Sequence, residues 1–115
     1  MINAARYSFQ GFAAAVRYEA AFRQELLLVL ILTPAAFWVG QTSTQIIVLI
    51  ASLIFVLVVE LLNSAIEAVA DAVSLEENPL IGRAKDLGSA AVLLSLLLAT
   101  GLWVLVIFNH WHPML

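Results

Sequence analysis

The chain divides into four stretches of differing apolar rhythm. Over about residues 3–22, apolar and small positions alternate with Arg6, Gln10, Arg17 and Glu19 at helical rather than strand spacing. That rhythm predicts an amphipathic helix suited to the headgroup layer of a membrane. The first continuous apolar run, Leu26 to Val39, is short for a bilayer span, which takes about 17–25 residues. A helix over about residues 24–40, or one begun near Ala20, is long enough. Pro34 falls inside it, and Trp38 suits an interfacial anchor. Gly40 to Gln45 reads as an uncharged turn. A second span follows over about residues 46–73, apolar to Val59 and then interrupted by Glu60, Asn63, Ser64, Glu67 and Asp71. Leu75 to Arg83 holds Asn78-Pro79 and Gly82 and reads as a connecting loop. The third span is expected over about residues 86–109, with Trp103 and Trp111 towards its far end. His110 and His112 then read as an interfacial or unstructured tail rather than a metal site.

Composition supports the membrane reading. The 115 residues are 63% hydrophobic and 11% charged, against about 45–50% and about 25% in soluble domains. Mean hydropathy is +1.03. Neither a water-soluble globule nor a disordered chain fits these values. The length suits one domain, residues 1–115. A net charge of −3 leaves no basic footprint for nucleic acid. With no cysteine, disulfides, thiolate metal sites and cysteine nucleophiles are excluded. The first 25 residues have interspersed charges and no apolar core, unlike a cleavable signal. All five cations, Arg6, Arg17, Arg23, Arg83 and Lys85, fall in the N-terminal segment and the second-to-third connection. With three spans these regions share one side, which the positive-inside rule assigns to the cytoplasm.

The candidate chemistry lies on the second span. At about 100° per residue from Glu60, Asn63 falls near −60°, Glu67 near −20°, Asp71 near +20° and Ser64 near +40°. All five share one face in one half of the span. A carboxylate at mid-depth costs roughly 2.5–3.5 kcal/mol on insertion scales. Three such acids call for cations, protonation or a water-filled cleft. A solvated helix extension is the plain alternative, strongest for Asp71 and weakest for Glu60, whose flanks are apolar on both sides. Magnesium commonly takes one or two carboxylates together with substrate phosphates, and Glu67 is placed for that role. Glu19 is either a second such acid or an ordinary ion pair with Arg23. Lys85, beside Asp86, is either a phosphate-binding point charge or a topology anchor. Gly88 to Ala91 are small residues that let helices approach closely. No Walker A, GxGxxG or protein-kinase signature is present.

Three elements give the chain a family likeness: Glu19-Ala-Ala-Phe-Arg-Gln-Glu25, Glu60-Leu-Leu-Asn-Ser-Ala-Ile-Glu67 with its extension to Asp71, and Gly82-Arg-Ala-Lys-Asp-Leu-Gly-Ser-Ala-Ala91. With Tyr7-Ser8 and Gly11, these elements resemble the bacterial integral-membrane diacylglycerol kinases over nearly the whole chain. The resemblance implies an all-α homotrimer of the inner membrane, each subunit with a surface helix and three spans, and active sites shared between subunits. It implies transfer of the γ-phosphate of ATP to diacylglycerol with magnesium as cofactor. Residue by residue, it implies Glu60 as general base, Glu19 and Glu67 as metal ligands, and Tyr7, Glu19, Asn63, Glu67, Lys85 and Asp86 at the nucleotide. Ser89 and Trp103, with Glu60, fall on positions associated with the lipid. Such a reaction rests on positioning and electrostatics, which this stripe can supply.

Two other readings compete. One is the same chemistry on undecaprenol. The other is a non-enzymatic channel or transporter subunit. A through-pathway should place polar groups at successive depths, whereas here they gather in one half of the span.

Overall fold

In the computed structural model residues 2–73 and 78–111 are described, and their regular structure is entirely helical: α1 (Ile2–Tyr18), α2 (Ala20–Val39), α3 (Ser43–Val73) and α4 (Pro79–Trp111). The helices α2, α3 and α4 are each long and apolar enough to cross a membrane. The three expected spans are therefore present, but their ends differ from the expected ones, and each difference has a local cause.

The first helix, expected at the membrane surface, stops at Tyr18 rather than near residue 22, and the helix of the first expected span starts at Ala20. Glu19 adopts an extended backbone, φ −111° and ψ 104°. Hydrogen bonding still runs through the corner, from Glu19 N–H to the Ala15 carbonyl (3.0 Å) and from Arg23 N–H to that of Glu19 (3.1 Å). Arg23 fixes the break. Its Nη1 donates to the carbonyls of Val16 (2.9 Å) and Arg17 (3.2 Å), which a helix C-terminus otherwise leaves without donors.

The turn between α2 and α3 is shorter than Gly40 to Gln45, because Ser43 already begins the helix. Gln45 N–H donates to Thr42 Oγ1 (3.1 Å), and Gln45 Oε1 accepts from Gln41 N–H (2.8 Å). This is close to a capping box. Gly40 is required by space: a Cβ there would lie 2.6 Å from Ile46 Cγ1 and 2.9 Å from the Ala36 carbonyl oxygen. Pro34 does not end α2, which continues to Val39.

Part of the expected loop before the third span is helix. Asn78 Oδ1 accepts from Leu80 N–H (2.9 Å) and Ile81 N–H (3.4 Å). Pro79 takes the first helical position, where its missing N–H costs nothing. Residues 79–83 thus form the first turn and more of α4, while positions 75–77 of that loop lie outside the described residues. At the other end α4 runs to Trp111, so His110 is helical rather than part of a tail. Its Nδ1 lies 3.1 Å from the Val39 carbonyl oxygen, and Gln41 Nε2 donates to the His110 carbonyl (3.3 Å). His112 lies outside the described residues.

The middle of the bundle is α3, packed chiefly on α4 and then on α2, with α1 resting on α2. Its inward seam is Leu49, Ser52, Leu53, Val56 and Glu60. Facing it, α4 buries Gly88, Ser95, Ala99, Trp103, Val106 and Asn109, and the small residues permit close approach. At the Gly40 end Ala36, Val39, Leu49, Leu53, Trp103 and Val106 form an apolar core. Large apolar side chains such as Leu30, Phe37, Ile47, Leu94 and Val104 face outward, as expected where lipid or another subunit replaces water.

Within that core Trp103 Nε1 donates to Ser52 Oγ (3.2 Å), and Ser52 donates in turn to the Leu49 carbonyl (2.6 Å). Ser52→Ala should leave the indole N–H without a partner and lower stability by about 1 kcal/mol, the size of hydrogen-bond losses in membrane bundles. Equilibrium unfolding in mixed detergent measures it.

Candidate active site

The carboxylates gather at the Glu19 end of the bundle. Glu60 continues the α3 seam and is only 5% exposed. An acid thus occupies a position that the seam otherwise gives to Leu49, Leu53 and Val56. Glu67, two turns on, and Glu19, at the corner between α1 and α2, both lie within electrostatic reach of Glu60. Glu25, near the start of α2, does so as well. The corner explains the position of Glu19: as the one extended residue between two helices, it stands at their junction.

Glu19 does not form the expected ion pair with Arg23. The guanidinium is committed to the carbonyls of Val16 and Arg17, and the one ion pair among the described residues joins Lys85 to Asp71. Lys85 Nζ donates to Asp71 Oδ1 at 2.7 Å, bridging α4 and α3. Glu67 is the next acid to act on that ammonium. Lys85 is thus tied to α3 by an exposed ion pair.

Asn63 lies between these groups, where its Nδ2 donates to Glu67 Oε1 at 3.4 Å. Its Oδ1 is buried and has no hydrogen-bond partner among the described residues. It faces Gly88 of α4 so closely that a Cβ on that glycine would overlap it. Gly88 is thus what lets the amide occupy this position.

The remaining expected site residues are not gathered by a single chain. Tyr7 on α1, and Asp86 and Ser89 on α4, face outward. Trp103 is buried in the core on Ser52, about 12 Å along α3 from Glu60 by helical rise. Glu25 was not singled out from the sequence, yet one of its carboxylate oxygens is buried without a partner among the described residues. It lines a cavity of about 350 Å³ with Leu28, Leu32, Val56 and Trp103. Its signal was an acid directly ahead of an unbroken leucine run. A larger groove, about 630 Å³, runs between α1 and α3, lined by Phe12, Ala15, Leu61 and Ala65 with Ser8, Glu19 and Ser64 as polar points.

No three of the described His, Asp and Glu side chains form a metal cluster by themselves. The donor set suits a hard cation that also draws on phosphate oxygens, since magnesium is seldom held by protein ligands alone. An exposed carboxylate at Glu67, with Glu19 nearby across Glu60, is of that kind.

Comparison with known proteins gives the family. The family model described as prokaryotic diacylglycerol kinase matches residues 6–107. The chain belongs to the prokaryotic diacylglycerol kinase family. The match includes every site position named above, from Tyr7 to Trp103. Among relatives, the diacylglycerol kinase of Escherichia coli K12 is 45% identical over 111 residues, covering 96% of this chain and 91% of that protein. That of Pseudomonas aeruginosa is 48% identical over 109 residues, covering 95% and 89%. That of Haemophilus influenzae is 44% identical over 108 residues, covering 94% and 92%.

The glycines of this family member separate into two kinds. Gly88→Ala should force Asn63 or the helix pair apart and cost about 1–3 kcal/mol, as overpacking does. Gly11→Ala, where an added Cβ meets nothing within 4 Å, should be neutral or slightly stabilising. Unfolding midpoints of the two variants, with the Asn63 side-chain amide followed by NMR, test the contrast.

Proposed function

We propose that this protein transfers the γ-phosphate of ATP to the free hydroxyl of diacylglycerol, giving phosphatidic acid, at the cytoplasmic face of a bacterial inner membrane. The observation that carries the proposal is the burial of Glu60 in the helix seam, with Glu19, Glu25 and Glu67 within electrostatic reach and Lys85 further along the same stripe, on Asp71 and near Glu67. A buried acid beside further acids is costly, and a reaction that needs a base, a metal and, along the same stripe, a cation for an extended polyphosphate accounts for all of them.

Depth supports the lipid substrate. Counted from Ser43, a span reaches the hydrocarbon thickness of about 30 Å near Leu62 at about 1.5 Å per residue. Glu60 then lies just inside the apolar layer, and Asn63, Glu67 and Asp71 lie at its edge. A diacylglycerol hydroxyl occupies that depth while its acyl chains stay in the bilayer. The groove between α1 and α3, apolar along its walls, suits a lipid that approaches from the side. In this reading α1 is a surface helix on the cytoplasmic side, and the N-terminus is cytoplasmic with it.

The residues divide the work. Glu60 accepts the hydroxyl proton as the oxygen attacks the γ-phosphorus and the bond to ADP breaks, which is the general-base part of phosphoryl transfer. Lys85 meets the charge that spreads over the phosphoryl oxygens. Glu19 and Glu67 would hold magnesium, which when bound neutralises phosphate charge and fixes the nucleotide. Asn63 orients Glu67 and faces the transferring group. Tyr7 and Asp86 contact the nucleotide, and Ser89 and Trp103 belong to the lipid side. Tyr7, Asp86 and Ser89 face outward from one chain, as residues of a site completed by a neighbouring subunit would, and the assembly proposed is the homotrimer that the family resemblance implies.

Glu60→Gln should lower lipid phosphorylation at least about 100-fold, within the range of general-base losses, and leave the oligomer folded. Turnover by purified protein in bilayers, with diacylglycerol and undecaprenol side by side, measures this. Retained turnover would remove Glu60 from the base role, and preference for undecaprenol would reassign the substrate.

Glu67→Gln should raise the magnesium concentration needed for half-maximal rate several-fold. An unchanged magnesium titration would remove Glu67 from the metal.

A further inference from the structure

The Lys85–Asp71 pair has a consequence that phosphate binding alone does not include. Its Nζ–Oδ1 distance is 2.7 Å, and the two groups come from different helices. Lys85 is reached from α3 by two acids one turn apart, with Asp71 bonded to it and Glu67 acting on it from further off. Asp71 makes the direct bond, so any anion that draws on Lys85 must compete with Asp71. Both side chains are partly exposed, 43% and 56%, so the bond can be exchanged without opening the bundle.

We propose that Asp71 is a positioning residue: it holds Lys85 at the α3–α4 seam and weakens nucleotide binding by competing with the phosphates for that ammonium. This rests on the reading of Lys85 as the phosphate-binding cation. Asp71 itself touches no substrate. Its effect is to moderate phosphate affinity so that a diphosphate product is released.

The test is MgADP binding to the full-length protein in lipid nanodiscs, by calorimetry, with ATP kinetics alongside. Asp71→Asn should tighten MgADP about two- to five-fold, the range of exposed ion pairs. KM for ATP should fall with it, and kcat should not rise. Asp71→Glu, which keeps a carboxylate, should return affinity towards the wild-type value. The decisive arm is a double-mutant cycle: in a Lys85→Gln background, Asp71→Asn should no longer change MgADP affinity. Unchanged or weaker binding in Asp71→Asn would overturn the proposal. So would an effect that persists without Lys85, since Asp71 would then repel the nucleotide directly. Failure of the wild-type protein to bind MgADP at all is a distinct result, which would remove the phosphate-binding reading of Lys85 and this inference with it.

Discussion

The close approach of α3 and α4 is the constraint on which the rest of the structure depends. It is set by Gly88, Ser95 and Ala99 on one helix against the seam of α3 on the other. In hydrocarbon no hydrophobic effect drives helices together, so contact depends on shape and on the few polar groups that meet. At Gly88 the lack of a side chain lets the Asn63 amide sit against the backbone of α4. Further towards that end the same proximity brings Lys85 onto Asp71. Further into the bundle it closes the Ser52–Trp103 hydrogen bond. A single packing geometry therefore builds both the inert core and the polar end.

The polar end also shows why Glu60 faces inward. The seam positions of α3 recur every three or four residues, and Glu60 falls on the next of them after Val56. The helix cannot turn this acid to the outside without also exposing Leu49 and Leu53 of the apolar core, so burial follows from register. Glu67 lies two turns further, beyond the most crowded part of the seam, and is exposed. Two acids on one stripe thus acquire different surroundings from the depth at which each falls.

Much of this was legible in the sequence. Three apolar runs predict the three long apolar helices, and the periodicity of Glu60, Asn63 and Glu67 places them on one face. Helix ends were less legible because they depend on single side chains reaching across turns. The Arg23 guanidinium ends α1 by bonding carbonyls six and seven residues back, a contact that no periodicity encodes. At Asn78-Pro79 the same dipeptide that signals a loop also starts a helix, and the Asn78 side chain decided it. Glu25 escaped notice because it shares no stripe with the other acids along the chain. It joins them only where α2 packs on α3.

The corner at Glu19 has a mechanical consequence. Its backbone keeps hydrogen bonds on both sides, to Ala15 and from Arg23, and the Arg23 guanidinium spans the same corner to the carbonyls of Val16 and Arg17, so it works as a braced elbow. Tyr7 lies twelve residues from it, a lever arm of about 18 Å at helical rise. At that length the angle held at the elbow decides where Tyr7 stands relative to the carboxylate at the corner. The side chain of Arg23 thus sets the bearing of the whole of α1 from its base, where the acid lies within electrostatic reach of Glu60.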